Sequence, residues 1–328
     1  MIDRRAFIVV VSGSVLTGSL TVEAQQTGKA YRVGWLSGGF AARSGSLVAF
    51  RDALRDGGFV VGQNVILDLL MPEHGTAAEY ANLAAQLIAR SPSVILGANP
   101  NSLEALTKAT TSIPIVGVDL ESDPVAKGWV VSLARPGRNL TGFFLDIPEM
   151  SGKQLEMVRE IRPTMTRVAV LGDRRINELQ FHATEAAAGR LGVTLHALSV
   201  TEAKQIPGLV TEAARQKAGA LVALTSPLVN GNMKPLAVAA LTHKLPTVAG
   251  FAPSFAEAGG LLAYGPDFPD LFRRAAGHVL EILKGARPGD LPVQRPTKFP
   301  LVINIKTAKA LGVTIPQTLL LRADHVIQ

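Results

Sequence analysis

Cysteine is absent from the 328 residues. Disulfides, thiolate nucleophiles, Cys-ligated zinc, iron–sulfur centres and a lipid anchor on an N-terminal cysteine are thereby excluded. Aromatic residues are scarce at 5%, and charged residues make up only 18%. The charge excess is modest, +7 from 33 Lys and Arg against 26 Asp and Glu, and basic clusters such as Arg4-Arg5 and Arg273-Arg274 are small. No basic run is interleaved with aromatics, so no nucleic-acid partner is expected. Apart from the N-terminus, no apolar run approaches the length of a membrane span.

Sequence motifs for catalysis are missing too. There is no G-x-x-x-x-G-K-[ST] phosphate loop, no H-E-x-x-H, no G-x-G-x-x-G after a strand and no G-x-S-x-G elbow. The six histidines, His74, His182, His196, His243, His278 and His325, form no metal-like spacing. No cofactor or metal is expected, and catalysis is disfavoured, although carboxylates distant in sequence can still meet in space.

What is present is a packed globule with 47% hydrophobic residues, long enough for two domains. Residues 1–24 place Arg4-Arg5 before a short Val-rich apolar run and end on Val22-Glu23-Ala24, small at the two positions that a signal peptidase reads. This pattern predicts an export signal cleaved after Ala24, and Arg4-Arg5-Ala6-Phe7 resembles the core of a twin-arginine signal. The other reading is a buried first helix.

From Tyr31 onward, strand and helix patterns alternate. Strands are predicted at 31–36, 64–69, 94–96 and 113–118, with helices at 47–56, 77–90 and 102–109 between them. The same order returns with strands at 167–172, 193–198, 220–225 and 246–250, and helices at 177–191, 206–217 and 233–243. Two runs of βαβαβαβ predict two doubly wound α/β lobes of one design. Residues 119–142, rich in Gly, Pro and Asp, read as crossover and surface turns. The block after 250 carries a strong amphipathic helix at 267–283 and a strand at 298–305. It is too small for a third domain, so it is expected to pass back between the lobes and complete both.

In open α/β sheets, ligands gather beyond the C-terminal strand ends. That rule selects Ser37, Gly38 and Phe40 after the first strand, Asn99, Asn101 and Ser102 after the third, and Asp119 after the fourth. In the second lobe it selects Asp173, Asn177, Ser226 and Phe251, with Tyr264 placed equally in core or cleft. Asp119 or Asp173 suits an amine, and Phe40 or Phe251 suits an apolar body. Asn99 and Ser102 also fit a purely capping role, Asp173 a solvated turn, and Phe40 packing beneath its own loop.

Several long segments together carry a family resemblance: ATTSIPIV at 109–116, DPV at 123–125, SLARPGRNLTG at 132–142, FAEAGGLLAYG at 255–265, LFRRAAGHVLEILKG at 271–285, and the run from Gln294 to Gln328. From Tyr31 to the C-terminus the chain closely resembles bacterial ABC-transporter substrate-binding proteins of the tryptophan/tyrosine type. The resemblance implies a periplasmic binding protein type I fold, two Rossmann-like lobes joined by three crossovers that close on a solute. It implies lobe one over about 30–120 plus 250–290 and lobe two over 121–249 plus 291–328, with hinge strands near 119–123, 249–253 and 290–300. It also implies a periplasmic, non-anchored, monomeric protein that delivers an aromatic amino acid or related aromatic or carboxylate compound to an inner-membrane ABC permease. A ligand-sensing protein of the same fold and an exported enzyme are the rival readings. The rims depart from many relatives: Pro253-Ser254-Phe255 stands where an Arg-Glu pair often precedes the aromatic. Gly38-Gly39-Phe40 and Ser226–Asn230 also differ from the residues that relatives often carry there.

Overall fold

The computed structural model describes residues 30–38, 45–119, 121–144, 147–250 and 254–328, without the side chains of 147–149. The segment read as an export signal, and the candidates Phe40 and Phe251, lie outside the described residues.

The first sheet contains β1 (Tyr31–Ser37), β2 (Val65–Leu70), β3 (Val94–Ala98), β4 (Ile115–Asp119) and β5 (Leu140–Phe144), in the order β2-β1-β3-β4-β5. All of its pairings are parallel. The second sheet contains β6 (Arg167–Gly172), β7 (Thr194–Ser199), β8 (Ala220–Ala223), β9 (Thr247–Ala249), β10 (Leu262–Tyr264), β11 (Leu301–Asn304) and β12 (His325–Ile327). Its order is β12-β11-β10-β9-β8-β6-β7, with only β10–β11 antiparallel. The 2-1-3-4-5 winding of the first lobe thus recurs as 7-6-8-9-10 in the second. β3 and β4 are buried along their whole length, as apolar runs must be when helices cover both faces of a parallel sheet.

The first lobe carries α1 (Gly45–Asp56), α2 (Ala77–Ala89) and α3 (Pro100–Ala109). Thr76 and Glu79 form a reciprocal capping box at the start of α2, which satisfies two orphan N–H groups. The second lobe carries α4 (Ile147–Ile161), α5 (Glu178–Leu191), α6 (Ile206–Arg215), α7 (Pro227–Asn230), α8 (Met233–Thr242) and α9 (Ser254–Glu257). α10 (Phe268–Leu283) returns to the first lobe, and α11 (Ile305–Leu311) and α12 (Gln317–Leu320) finish the second. The return of α10 is fixed by aromatic packing. Phe272 stacks on Trp35 with centroids 5.2 Å apart, and Phe50 of α1 meets the same indole edge-on at 5.0 Å. All three rings are fully buried, and each such ring removes roughly 150–250 Å² from water.

The chain crosses between the sheets three times: after Phe144, after Tyr264 and after Gln294. The strands tie these crossings together. Gln294 donates its N–H to Gly142 O at 2.9 Å, Phe144 donates to Gln294 O at 3.0 Å, and Asp267 donates to Lys298 O at 3.1 Å. The side chain of Arg274 donates to Gln294 Oε1 and lies 4.9 Å over the Phe143 ring.

This path corrects two hinge expectations. Residues near 119–123 lead from β4 to β5 within the first sheet, and those near 249–253 lie between β9 and β10 within the second; only 290–300 contains a crossing. The reason is the segment 120–139, whose Gly, Pro and Asp content reads as an exit. Residues 121–139 instead stay on lobe one, with Trp129 and Val130 buried in its core, and the chain returns as the edge strand β5. Residues 140–144 therefore belong to the first sheet, and β10 belongs to the second. The strand expected over 298–305 spans Leu301–Asn304 and stops there because Asn304 caps α11 by accepting from Thr307 N at 2.9 Å.

Candidate functional site

The C-terminal ends of both sheets point toward one another across the crossings. An ideal Cβ placed on Gly38, just past β1, lies 3.5 Å from Tyr80 Oη, 3.6 Å from Asn99 Nδ2 and 3.8 Å from Pro227 Cβ of the opposite lobe. The rim beyond β1 and β3 therefore abuts the rim beyond β8. Gly38, Tyr80, Asn99 and Pro227 meet at this junction, and Asp119 ends β4 next to β3, where Val118 is the register partner of Ala98.

On the lobe-one side, most of the expected polar groups are already engaged. Ser37 Oγ accepts from Trp35 Nε1 at 2.9 Å and donates to Gly38 O at 3.1 Å. Asn99 Oδ1 accepts from Ser102 N at 2.8 Å, its Nδ2 donates to Tyr80 Oη at 3.0 Å, and Ser102 Oγ donates back to Asn99 O at 2.8 Å. Burial pushes the Tyr80 hydroxyl up to about 12, although its bond to Asn99 pulls the other way. Asn99 thus caps α3 and anchors Tyr80. It does so at φ 144°, ψ 167°, a region almost reserved for glycine and costing about 1–3 kcal/mol elsewhere. Asn101 is exposed.

Asn99→Ala keeps that backbone, removes the cap and strips the buried Tyr80 hydroxyl of its partner. Cap loss costs about 1 kcal/mol, and an orphaned buried polar group costs about 1–3 kcal/mol. A loss of about 2–3 kcal/mol is expected in urea unfolding. An unchanged midpoint would mean the bonds contribute nothing to stability.

Asp119 is different. It ends β4, is fully buried, and uses Oδ1 to accept from Glu121 N at 2.9 Å. Its Oδ2 is buried without a hydrogen-bond partner. Burial raises its pKa above the ordinary carboxylate value, and bonds from Glu121 and Ser122 offset only part of that. Of the described residues selected from the sequence, Asp119 is the one with a buried, uncommitted side-chain atom.

On the lobe-two side, Asp173 is bound by Arg175, whose Nε and Nη2 donate at 2.8 and 2.6 Å. Asn177 accepts from Asp173 N at 2.8 Å and donates to Thr225 O at 2.7 Å, so it laces the end of β6 to the end of β8. Ser226 Oγ accepts from Val229 N at 3.2 Å and caps α7. The Tyr264 ring turns away from the junction toward Phe299, at 6.4 Å between centroids. It lines a surface pocket of about 290 Å³ with Lys153, Met157 and Arg322.

Four buried polar residues of lobe two escape the strand-end rule. Ser151 Oγ, Gln154 Oε1, Thr225 Oγ1 and Asn230 Oδ1 are buried without a partner. Ser151 and Gln154 lie on α4, a helix that the sequence patterns above do not pick out. Their signal is positional: with Leu155 and Val158 they occupy one helical stripe at i, i+3, i+4 and i+7, where apolar residues are expected.

Among the described residues, no group of three or more His, Asp and Glu is placed to hold a metal. The sequence matches the ABC transporter substrate binding protein family over residues 41–327. The chain belongs to that family. It is similar to a tyrosine-binding protein of Clostridioides difficile, with 26% identity over 80% of this chain and 75% of that protein. An ABC domain from Streptococcus pneumonia, solved in complex with L-Trp, superposes with a TM-score of 0.81 at 25% identity, covering 90% of this chain and 99% of that one. A conserved domain protein from Vibrio cholerae superposes equally well, TM-score 0.81 at 26% identity, over 91% and 100%. As a substrate-binding protein with the periplasmic binding protein type I fold, the chain is a non-catalytic component of solute import. Its family implies a small-molecule solute and a partner ABC permease.

Proposed function

We propose that this substrate-binding protein receives a small aromatic solute bearing a protonated amine, such as an aromatic amino acid, between its lobes outside the cytoplasm. The solute is handed unchanged to a permease. The observation that carries the reading is Asp119: a buried carboxylate with one free oxygen, at the end of β4 beside the β3 end. An unpaired buried charge is costly unless a cation joins it, and an ammonium donor supplies both charge and hydrogen bond. The aromatic part rests on the tyrosine-binding relative and the L-Trp complex. The export reading rests on the N-terminal pattern of residues 1–24. Contacts made to both lobes at once favour the closed arrangement, which is how such a receptor signals occupancy.

A thermal-shift screen tests this with aromatic amino acids, aromatic acids lacking the amine and aliphatic carboxylates. A solute present at a hundredfold excess over Kd stabilises by about 2.7 kcal/mol, so amine-bearing aromatics are expected to raise the melting temperature clearly. Stabilisation by the amine-free acids alone would remove Asp119 from the reading. Turnover of any solute would remove the transport role.

A further inference from the structure

Three of the uncommitted polar atoms gather in lobe two. Gly250 follows β9, and an ideal Cβ on it would lie 2.1 Å from Thr225 Oγ1, 3.4 Å from Met150 Cε and 3.5 Å from Gln154 Nε2. Thr225 and Gln154 therefore flank the same bare backbone. Ser151 stands one turn before Gln154 on α4, three residues apart and so on the same helical face. Ser151, Gln154 and Thr225 are each at most 1% exposed, and Ser151 Oγ, Gln154 Oε1 and Thr225 Oγ1 all lack partners. The neighbouring groups are fixed. Thr225 has its own N–H bound to Gln180 Oε1 at 3.1 Å and its carbonyl bound by Asn177 and Gln180, while Gln154 Nε2 donates to Tyr264 O at 2.8 Å. Gln154 is thereby oriented with Oε1 as its free end, and Thr225 is held two residues from Pro227, which abuts lobe one.

We propose that Ser151, Gln154 and Thr225 form a neutral hydrogen-bonding subsite. It takes an uncharged donor group of the solute, a hydroxyl or ring N–H, while Asp119 takes the amine. The subsite offers no ionised side chain to balance a charge: Gln154 Oε1 is acceptor-only, and Ser151 and Thr225 are neutral hydroxyls. A hydroxyl donates to Gln154 Oε1 and accepts from Thr225 or Ser151; a ring N–H satisfies Gln154 alone. An apolar ring edge leaves all three orphaned, a penalty that sites built for a hydroxyl impose on its deoxy analogue. This deepens the proposed function and rests on that reading for the class of solute.

Calorimetric titration of the whole mature protein with L-tyrosine, L-tryptophan and L-phenylalanine tests the subsite. Phenylalanine is expected to bind at least about tenfold more weakly than tyrosine. Thr225→Val and Gln154→Met are expected to bring the two within about threefold, mainly by weakening tyrosine, while Thr225→Ser retains the preference. A tyrosine preference that persists in both variants overturns the subsite. If the screen yields a different solute, the aromatic reading fails separately. The subsite then stands if both variants weaken that solute about tenfold and falls if neither does. A second measurement needs no solute. Thr225→Val removes an orphaned hydroxyl, so the unliganded variant is expected to melt above the wild type; a lower melting temperature shows a hydroxyl already paired within the fold and overturns the proposal.

Discussion

Replacing Gly142 with alanine is expected to remove more than about 4 kcal/mol of stability, enough to keep the protein from accumulating as a soluble species. Gly142 sits at φ 143°, a conformation that L side chains rarely adopt, and an added Cβ would lie 2.0 Å from Gly117 O and 2.5 Å from Gly117 N. The obstacle is the backbone of the paired strand, since Gly117 and Gly142 are register partners in β4 and β5. Relief requires the strands to part, and Gly142 O also receives the Gln294 N–H of the third crossing. The adjacent substitution Gly117→Ala is the control. There a Cβ would meet side chains, Phe144 at 3.0 Å and Leu103 at 3.2 Å, which can shift, so about 1–3 kcal/mol is expected. Soluble yield of both variants, with urea unfolding of each that accumulates, separates the cases, and equal yields with equal losses would deny the backbone collision its special role. Lobe two repeats the device: a Cβ on Gly265, past β10, would lie 1.7 Å from Gly250 O. In each lobe, the strand that leads out to a crossing is pressed onto its neighbour at a glycine.

That repetition marks what the sequence makes legible. Strand and helix periodicity, with capping residues at their ends, places β1–β4 and β6–β9 and reveals one design used twice. The strand-end rule also reaches Asp119, because an acidic residue directly after an apolar run has few structural reasons to be there. The crossings are less legible. SLARPGRNLTG reads as turns, and only tertiary pairing with β4 makes its last residues a strand, since β5 is held by Gly117 and Gln294 rather than by its own propensity. Asn99 and Ser102 show the opposite limit. Sequence leaves capping and solute contact both open; the structure supplies the cap and the bond to Tyr80, and a cap does not preclude solute contact. Ser151 and Gln154 fall to a third cause, since a polar residue on a buried stripe looks like noise until its neighbours are known.

Asp119→Asn is expected to lower affinity for an amine-bearing solute by at least about thirtyfold, because removing one partner of a buried charge pair costs about 2–5 kcal/mol. The same change is expected to stabilise the unliganded protein near neutral pH. Burial raises the folded carboxyl above its ordinary value, so the folded state holds its proton to higher pH than the unfolded chain does. Between those two values the unfolded state binds fewer protons, and stability falls as pH rises. It is retained in full below the ordinary carboxylate range and lost as pH climbs through the raised one. Asparagine cannot ionise, so the variant lacks the part of this slope that Asp119 contributes beside the Glu121 carboxyl and exceeds the wild type on its alkaline side. Solute binding has the opposite dependence. The ammonium needs the carboxylate, so wild-type affinity strengthens as pH rises through the same window, while that of Asp119→Asn stays flat. Paired measurements of melting temperature and affinity across pH read both slopes at once. A variant that keeps wild-type affinity would place the amine elsewhere. One that loses affinity and also loses stability would make Asp119 a structural residue of β4, because a group held uncommitted for a solute should cost the empty protein rather than support it.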